Sequence, residues 1–571
     1  MPGVTTADGS SRGAMVNGLP TSAVNITLDG MNIQDNYAKT WDGMFTRVSP
    51  RLDAVEEVTI GTAAQGADMA GQGGVQIKMV TRSGTNDYHG SVYYYMRRDW
   101  LNSNTWFNLH RNVDANGTPT SKPTLSQFQP GGRLGGPVRI PKLFNGRDKL
   151  FFFVNYEWIS SPGTNTSTRT IMSPLSEQGI FQYSGGPNVD LMALAAKNGQ
   201  TARIDPTVSR LLADVRASTK KTGVVNATTD PLTQSFVWQQ PTHSKTKYPT
   251  VRVDYNATAN HRLTGSTTQN HLISNPDTTN SYQRVFPEFP VHGLQDSVRY
   301  SGQGSWRWTV SSNVVNEFRF GKTGGATKFS PDLTTDMYQG TGYGGMNGYA
   351  IGWSAFKSIA NPYPTTANSA REGKTMVFED SLSWVKGPHL LSMGVSYTKA
   401  EVWLYNQTKA PTATLGMTTS GDPADSMFTT ANFPRASSTD ITNARSLYSV
   451  LTGRVSAITR NARIQPDGST YKILGASDQY GILPQWGSFI SDTWHWKPTV
   501  TINAGLRYDV QRPFYAQNNS YSTATLDDIF GVTGVGSGFQ PGSVVDNLGN
   551  LFKPGTLQGR PTTFKMLEKN T

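Results

Sequence analysis

The strongest constraint on the fold is a strict alternation of apolar and polar residues in a set of paired segments. The clearest segment covers residues 499–510. Its apolar members are Val500, Ile502, Ala504, Leu506, Tyr508 and Val510, and the residues between them are Thr501, Asn503, Gly505, Arg507 and Asp509. A period of two belongs to the β-strand, whose successive side chains point to opposite faces. The segment therefore predicts a strand with one apolar face and one polar face.

Short turns join such segments into pairs. Lys497-Pro498 leads into the segment just described, Lys386-Gly387-Pro388 separates two alternating segments, and Asn145-Gly146 precedes the apolar run at 151–158. Asn-Gly is a favoured dipeptide for a two-residue hairpin turn. Counted from residue 87, the alternation predicts eleven strands.

Long polar segments separate these hairpins at their other ends. They cover residues 99–125, 160–246, 272–296, 327–374, 404–483 and 513–571, and they are rich in Gly, Pro, Ser, Thr and Asn. Loops of this length are uncommon in compact soluble domains. Short turns at one end and long loops at the other are typical of a transmembrane β-barrel. Aromatic residues near the predicted strand ends, which a barrel places at the membrane interfaces, are Trp384, Trp494, Trp496, Tyr508, Phe514 and Tyr515.

The hydropathy of the chain is compatible with such a barrel. Only 36% of the residues are hydrophobic, the mean hydropathy is −0.44, and no apolar run approaches the roughly 18 residues of a membrane-spanning helix. A membrane strand needs an apolar residue only at every second position, so its average hydropathy stays low. A soluble sandwich or propeller would also alternate, but it would not segregate its loop lengths by end, and the chain has no fixed repeat.

Composition and motifs predict neither an enzyme nor a metal protein. The chain has no cysteine, and its eight histidines form no metalloprotease motif. Gly373-Lys374-Thr375 ends like a phosphate-binding loop, but Asn368 stands where the first glycine belongs. The net charge of +11 comes from scattered lysines and arginines, which argues against nucleic-acid binding. We expect no catalytic residue, no cofactor and no metal site.

The N-terminal part differs from the rest and carries a family resemblance. Val24, Ile26 and Leu28 alternate with polar residues and end at a turn, Asp29-Gly30. Further on, a glycine-rich stretch enters a strand through Val75, Ile77 and Met79. The residues that mark this junction are Gly71, Gly73, Gly74, Arg82, Gly84, His89 and Gly90. The order of these parts resembles the plug-to-barrel junction of TonB-dependent outer-membrane receptors and transporters, in particular of their Oar-like branch.

The resemblance implies a fold and two domains. The fold would be dominated by β-structure, with a small α+β plug domain at residues 1–86, incomplete at its N-terminus, followed by a partial antiparallel transmembrane β-barrel at residues 87–571. Eleven strands would be about half of a barrel of 22 strands. We therefore expect a fragment, with an export signal and a small β-domain upstream and about eleven strands downstream. The plug should lie inside the curved sheet, with Glu56 and Arg82 meeting its polar inner wall.

The resemblance also implies a function and partners. Such a protein takes up a ligand across the bacterial outer membrane, surrounded by outer-membrane lipid and driven by an inner-membrane energy-coupling protein of the TonB type. The extracellular ligand would be a carbohydrate, a siderophore or a peptide, and no nucleic acid would be involved. The rival function is an adhesion or glycan-binding protein of the outer surface that does not transport. A plug favours transport, because an adhesin needs no gated lumen.

A ligand site is expected at the apex of the plug, in the loop that follows Asp29-Gly30. The candidate residues are Asn36, Tyr37 and Trp41. An aromatic ring beside an amide suits a sugar or a siderophore, since the ring stacks while the amide forms hydrogen bonds. Packing of Trp41 into the core of the plug is the alternative for that residue.

Overall fold

A computed structural model describes most of the chain. It covers residues 14–62, 74–104, 124–278, 282–290, 293–330, 348–353, 355–363, 367–418, 421–464 and 471–517. Shorter described pieces are residues 4–5, 66–67, 106, 109, 122, 280, 338, 522–523, 556–557, 560–561 and 565–566. Most of the predicted loop at 513–571 lies outside the described residues.

A small four-stranded sheet forms the N-terminal unit, residues 14–81. Its strands are β1 (Val24–Leu28), β2 (Met31–Asn32), β3 (Val55–Gly61) and β4 (Val75–Thr81), in the order β2-β1-β4-β3, and β1 runs parallel to β4. A short α-helix, α1 (Lys39–Asp42), and a 3-10 helix, Leu52–Ala54, lie between β2 and β3. The alternating residues of β1 enter a core of eight buried side chains: Val16, Val24, Ile26, Leu28, Ile33, Val48, Val75 and Ile77. The predicted strand ending at Asp29-Gly30 is confirmed.

A large antiparallel sheet follows. Its path through the described residues has eleven strands in chain order: β5 (His89–Arg98), β6 (Ser126–Pro137), β7 (Leu150–Met172), β8 (Thr233–Asn256), β9 (His261–Asn275), β10 (Leu294–Ser311), β11 (Val314–Ser330), β12 (Asn368–Lys386), β13 (His389–Gln407), β14 (Ser477–Lys497) and β15 (Val500–Gln511). Each strand pairs with its neighbours in sequence. In this part of the chain β5 and β15 do not pair with each other, so the sheet is open.

The two faces of the large sheet have the polarity that the alternation predicts. On the outer face, the side chains of Leu506 and Val395 are 71% and 60% exposed. On the inner face, Asp254, Thr323 and Thr375 are buried. The N-terminal unit lies against this inner, polar face, as the hydrogen bond between Asn36 and Thr375 shows.

Several strands extend far beyond their predicted ends. Residues 160–246 are predicted as a loop, yet β7 continues to Met172 and pairs in register with β8 as far back as Thr233. The sequence from 160 to 172 is SSPGTNTSTRTIM. Both faces of that stretch are mainly polar, so the hydrophobic alternation disappears although the backbone ladder continues. The same holds at the predicted loops 327–374 and 404–483, which contain the ends of β11, β12, β13 and β14.

The remaining parts of three long loops fold into a compact layer that we call the cap. It contains α2 (Pro174–Glu177), α3 (Leu191–Lys197), α4 (Pro206–Thr219), a 3-10 helix (Pro423–Met427) and α5 (Ser438–Leu451). A three-stranded sheet of Ala350–Gly352, Thr412–Leu415 and Val455–Thr459 belongs to it. Its core buries Phe181, Trp353, Phe433, Leu447 and Tyr448 almost completely. The prediction of polar loops is wrong here, because these segments have enough apolar residues to form their own core.

Short strands form the rest of the described β-structure. They are Val4–Thr5 with Met15–Val16, Arg139–Ile140 with Phe144–Asn145, Ile180–Phe181 with Val189–Asp190, Ala462–Ile464 with Tyr471–Ile473, Ser522–Thr523 with Lys565–Met566, Thr556–Leu557 with Arg560–Pro561, Val224–Ala227 beside β8 and Tyr515–Ala516 beside β14. Within the described ranges, no helix is both long enough and apolar enough to cross a membrane.

Candidate functional site

A cavity of about 760 Å³ separates part of the N-terminal unit from the inner face of the large sheet. From the N-terminal unit it is lined by residues that include Asn25, Asp29, Asn32, Asn36, Tyr37, Lys39, Gln76 and Lys78. From the large sheet it is lined by residues that include Arg252, Arg262, Gln303, Arg307, Glu317, Arg319, Glu379 and Arg507. The lining is polar and rich in cations because the inward positions of the strands are the polar positions of the alternation.

The lower contact between the two parts lies near the short turns. Arg252 donates a hydrogen bond of 2.8 Å to the carbonyl of Thr81, and Ser266 donates one of 2.7 Å to the carboxylate of Asp29. Asp29 also accepts a hydrogen bond from the backbone of Thr81, which fixes the turn at the end of β1. Arg252 stands close to Asn256, where β8 meets its turn. The Asp29 end of the N-terminal unit therefore faces the turn end of the sheet.

The upper contact lies nearer the long loops. The amide of Asn36 donates a hydrogen bond of 3.1 Å to Thr375. Asp35 forms a buried ion pair of 2.6 Å with Arg47 and lies 3.7 Å from Arg371 of the sheet. Arg371 and Thr375 are near the start of β12 at Asn368, where its long loop begins. The chain after β2 therefore rises toward the loop end of the sheet.

Most cations of the sheet that line the cavity are paired within their own strand. Arg252 binds Asp254 at 2.8 Å, Arg319 binds Glu317 at 2.7 Å, and Arg507 binds Asp509 at 2.8 Å. In a strand, residues i and i+2 share a face, so these ion pairs form without help from the N-terminal unit. They give the inner wall a surface of both charge signs.

Lys39 differs from these arginines. It is half-buried at the start of α1, and no partner of its ammonium group is found within the described residues. Burial lowers its pKa from the ordinary value of 10.5 to about 8. Near neutral pH this lysine is therefore a cation that the surroundings stabilise poorly, beside the amide of Asn36 and the ring of Tyr37 in the cavity lining.

Two of the three predicted ligand-binding residues meet at the cavity. Asn36 and Tyr37 both line it. The amide of Asn36 also donates to Asn32, over 3.2 Å, and the ring of Tyr37 lies 6.1 Å from that of Phe514. The backbone of Trp41 is part of α1, and its side chain lies outside the described residues, so the choice between ligand contact and core packing stays open. A ligand-binding role for the three residues remains a prediction.

The sequence-based prediction did not include the arginines or Lys39. Each arginine occupies a polar position of an alternating strand, which was a signal for an inward orientation. Which of those strands would face the N-terminal unit depends on pairing and curvature, which the alternation does not specify. The side chains of these arginines and of Lys39 can form hydrogen bonds and ion pairs. In the described part of the chain no three metal-binding side chains come together.

The junction residues have steric roles where they can be described. Gly71 and Gly73 lie outside the described residues. A Cβ atom at Gly74 would lie 2.5 Å from the side chain of Leu19. At Gly84 a Cβ would touch the carbonyl of Phe152 and lie 2.8 Å from that of Gly136. The connection between the two parts therefore passes flat against β6 and β7.

The other junction residues are at the start of β5. His89 is its first residue and is exposed, while a Cβ at Gly90 would lie 2.7 Å from the carbonyl of Arg133. Arg82 pairs with Glu56 at 2.9 Å. The prediction that Glu56 and Arg82 meet the inner wall is not supported, because the half-buried Arg82, just after β4, and the exposed Glu56 of β3 pair with each other. Arg51 makes such a contact instead, with Glu157 of β7.

Comparison with solved structures gives distant likenesses. The outer-membrane transporter YddB from Escherichia coli is 10% identical, with a TM-score of 0.47 over 87% of this chain and 50% of that protein. The ferric citrate transporter FecA is 11% identical, with a TM-score of 0.43 over 91% and 53%. The siderophore receptor PirA from Acinetobacter baumannii is 12% identical, with a TM-score of 0.42 over 90% and 54%. The chain spans about half the length of these proteins. No curated protein sequence matches significantly.

A family model gives a more extensive match. The model described as "Outer membrane beta barrel domain" matches residues 80–556. This region begins at the end of β4 and contains all eleven strands of the large sheet together with the cap. Its apolar outer face and polar inner face are those of a sheet that faces lipid on one side. The chain is thus an outer-membrane protein, and it belongs to the outer membrane beta barrel domain family.

Proposed function

We propose that this protein is a gated transporter of the TonB-dependent kind, in which the N-terminal unit is the plug. The observation that carries the proposal is the position of that unit. It lies on the polar inner face of the sheet, is held at both ends by side-chain contacts, and leaves a cavity between itself and the wall. A surface protein that only adheres needs neither an inner unit nor a cavity behind it.

The charges of the wall suit a plug that moves. Breaking a buried ion pair is costly when one charge is left without a partner. Here Arg252, Arg319 and Arg507 keep their carboxylate partners on their own strands if the plug leaves. The plug contacts that would be lost are hydrogen bonds, such as that of Ser266 to Asp29, which water can replace, and ion pairs, such as that of Arg51 with Glu157, which are costlier to separate.

The proposed ligand path runs from the cap side to the turn side. In bacterial barrels the long loops are extracellular and the short turns periplasmic. A ligand that passes the cap would meet Asn36, Tyr37 and Lys39 first and then the paired arginines of the wall. These groups fit a carbohydrate, a siderophore or a peptide. The proposed partner on the periplasmic side is an inner-membrane energy-coupling protein of the TonB type.

A complete barrel is part of the proposal. Strands β5 and β15 have no partner on one side within the described residues, and unpaired backbone groups in hydrocarbon cost several kcal/mol each. Further strands must cover both edges in a bilayer. With the even strand numbers of bacterial barrels, a total of about 22 strands is our proposal. The Oar-like branch remains a proposal as well.

A cysteine lock tests the proposal. The chain has no native cysteine, so Met31→Cys with Gly321→Cys, at a contact of the N-terminal unit with β11 outside the proposed ligand residues, introduces a single possible disulfide. We would follow uptake of three labelled probes, a maltodextrin, ferric citrate and a short peptide, by cells with the protein in the outer membrane. Oxidation should abolish uptake of the transported probe while surface binding persists, and a reductant should restore it.

The controls separate transport from adhesion. Each single cysteine variant should take up the probe under oxidising conditions. Deletion of the energy-coupling protein should abolish uptake in all variants. Binding without uptake of any probe by the wild type would favour the adhesion function. Uptake that continues in the oxidised double variant, with the disulfide verified, would contradict a moving plug.

A further inference from the structure

A second, smaller pocket lies on the inner face of the large sheet, on the loop side of the cavity. Its volume is about 310 Å³, and we call it the outer pocket. Its side toward the N-terminal unit is marked by Arg371, which lies 3.7 Å from Asp35. The lining residues from β12, β13 and β14 that share the inward face with Arg371 are Ser369, Leu404, Asn406, Ser477 and Gln479.

The register of the strands shows how close the outer pocket comes to the cavity. Residues directly opposite each other on β12, β13 and β14 form a row across the wall. The row Arg371, Leu404, Gln479 lines the outer pocket. Ala400 and Leu483, which are also opposite each other, line the cavity. On β13 and β14 these positions are four residues apart, so a single inward row separates the two spaces.

That row consists of Gly373, Val402 and Gly481. The guanidinium group of Arg47 occupies the space that a Cβ atom would need at Gly373, and the ring of Phe514 does the same at Gly481. Between them Val402 is only 4% exposed. The two glycines therefore seat two large side chains at one level of the wall. We call Arg47 and Phe514 on this row the septum.

A β-bulge turns Phe514 toward the inside. Gln511 of β15 lies opposite Gln485, whereas Tyr515 lies opposite Ile482. The chain thus advances four residues along one strand and three along the other, and the extra residue lies just before Tyr515. A bulge of this kind re-aims a side chain. The expected position of Phe514 at a membrane interface is therefore wrong.

The two halves of the septum are held differently. Arg47 forms an ion pair of 2.6 Å with Asp35, both almost completely buried, so it moves only together with the N-terminal unit. Phe514 belongs to the wall, and its ring lies 6.1 Å from that of Tyr37, which lines the cavity. An uncharged ring can turn away without leaving a buried charge unpaired. The wall-side half is thus the easier one to open.

We propose that the septum closes the cavity toward the outer pocket and that Phe514 is its movable half, which controls the passage of a ligand between the two spaces. The closure itself follows from the strand register, whereas a role in ligand passage rests on the proposed transport function. Glycine is needed at position 481 because any side chain there would push the ring of Phe514 off its seat.

Thiol accessibility tests the septum. Because the chain has no native cysteine, Ser477→Cys reports on the outer pocket and Thr398→Cys on the cavity. A charged, membrane-impermeant methanethiosulfonate reagent is added to intact porin-deficient cells. The cavity thiol should react slowly in the otherwise unchanged chain and about tenfold faster with Phe514→Ala, as expected for the loss of one aromatic contact. Gly481→Ala should have the same effect, because its methyl group displaces the ring.

Controls separate opening from misfolding. The outer-pocket thiol of Ser477→Cys should react at one rate in all backgrounds, which verifies folding of the variants. Tyr515→Ala changes the adjacent ring, whose position opposite Ile482 directs it away from the septum, and should leave the rate at Thr398→Cys unchanged. An unchanged rate at Thr398→Cys with Phe514→Ala, or equal rates of the two thiols without it, would overturn the septum.

Uptake is measured separately with the three labelled probes. Uptake by the wild type together with an unchanged cavity rate in Phe514→Ala would refute the septum and leave transport standing. A faster cavity rate without uptake of any probe would support the closure by Phe514 and count against transport. The two proposals can therefore fail independently.

Discussion

Asn36 of the N-terminal unit donates a hydrogen bond of 3.1 Å to Thr375 of β12, across 339 positions of the sequence. The bond joins the loop that was expected to be the apex to the loop-side half of the wall. It is the kind of contact that a gate would break and remake, since water can satisfy both groups when they separate.

This bond should be measurable as a coupling energy. Asn36→Ala and Thr375→Val each remove one partner, and a double-mutant cycle isolates the interaction. We expect a coupling of about 1 kcal/mol in the opening free energy of the N-terminal unit, measured by hydrogen exchange of β1 amides. As a control, Thr59→Ala removes a contact within that unit, to Glu57, and should not couple to Thr375→Val. A coupling below about 0.3 kcal/mol would contradict the contact.

Gly84→Ala should destabilise the junction. The new methyl group would collide with the carbonyls of Phe152 and Gly136, which belong to paired strands and cannot move aside easily. Overpacking of this kind costs about 1–3 kcal/mol. The midpoint of urea unfolding should fall accordingly. Gly265→Ala is the matched control, because its nearest neighbour would be 3.9 Å away; equal midpoints for the two variants would be inconsistent with the close approach at Gly84.

Lys39 should make stability depend on pH in the alkaline range. Its folded pKa of about 8 lies below the ordinary 10.5, so between these values the unfolded chain binds more protons than the folded one. The free energy of unfolding therefore gains a contribution that rises from about pH 8 to about pH 10.5. In Lys39→Met this rise should be absent. The measurement is the urea midpoint of both proteins at pH 7 and pH 10, with Lys78→Met, from the same cavity, as the control. Parallel pH profiles of wild type and Lys39→Met would contradict the assignment.

The cap should unfold without the sheet when its core is damaged. Leu447 is fully buried there, and Leu447→Ala should cost the cap about 2–5 kcal/mol. Limited proteolysis should then cut within residues 173–232 and 421–464, while the strands stay protected. The variant Leu143→Ala, at a turn residue that is 81% exposed, should be cleaved by the protease in the same way as the wild type. Cleavage of the strands at the same rate as the cap would refute an independent core.

The sequence predicted a strand well where the hydrophobicity of its residues follows the surroundings of each face. In β15, lipid on one side and water on the other impose the alternation from Val500 to Val510, and the strand was predicted almost to the residue. Beyond the membrane both faces of a strand meet water. The stretch from Ser160 to Met172 of β7 therefore lost its pattern and was assigned to a loop.

The helices of the cap had local signals that the prediction did not use. Asp205 caps α4, Pro206 follows it, and Val208, Leu211, Leu212 and Val215 repeat with the helical period. Ser437 and Asp440 form a capping box at the start of α5. The cavity, unlike these helices, had no local signal in the sequence. Contacts such as Ser266 to Asp29 join residues 237 positions apart, and no local pattern encodes which strands curve around the N-terminal unit.

The shared core of the cap has a mechanical consequence for the rim of the sheet. Its buried residues come from the β7–β8 connection at Phe181, from the β11–β12 connection at Trp353 and from the β13–β14 connection at Leu447. The shared core thus packs these three connections against one another. A force that tries to bend one strand at the loop end is distributed over six strands, whereas at the opposite end the described short turns share no such core. The sheet should therefore be stiffer at the loop end than at the turn end, and its deformation under load should concentrate near the turns.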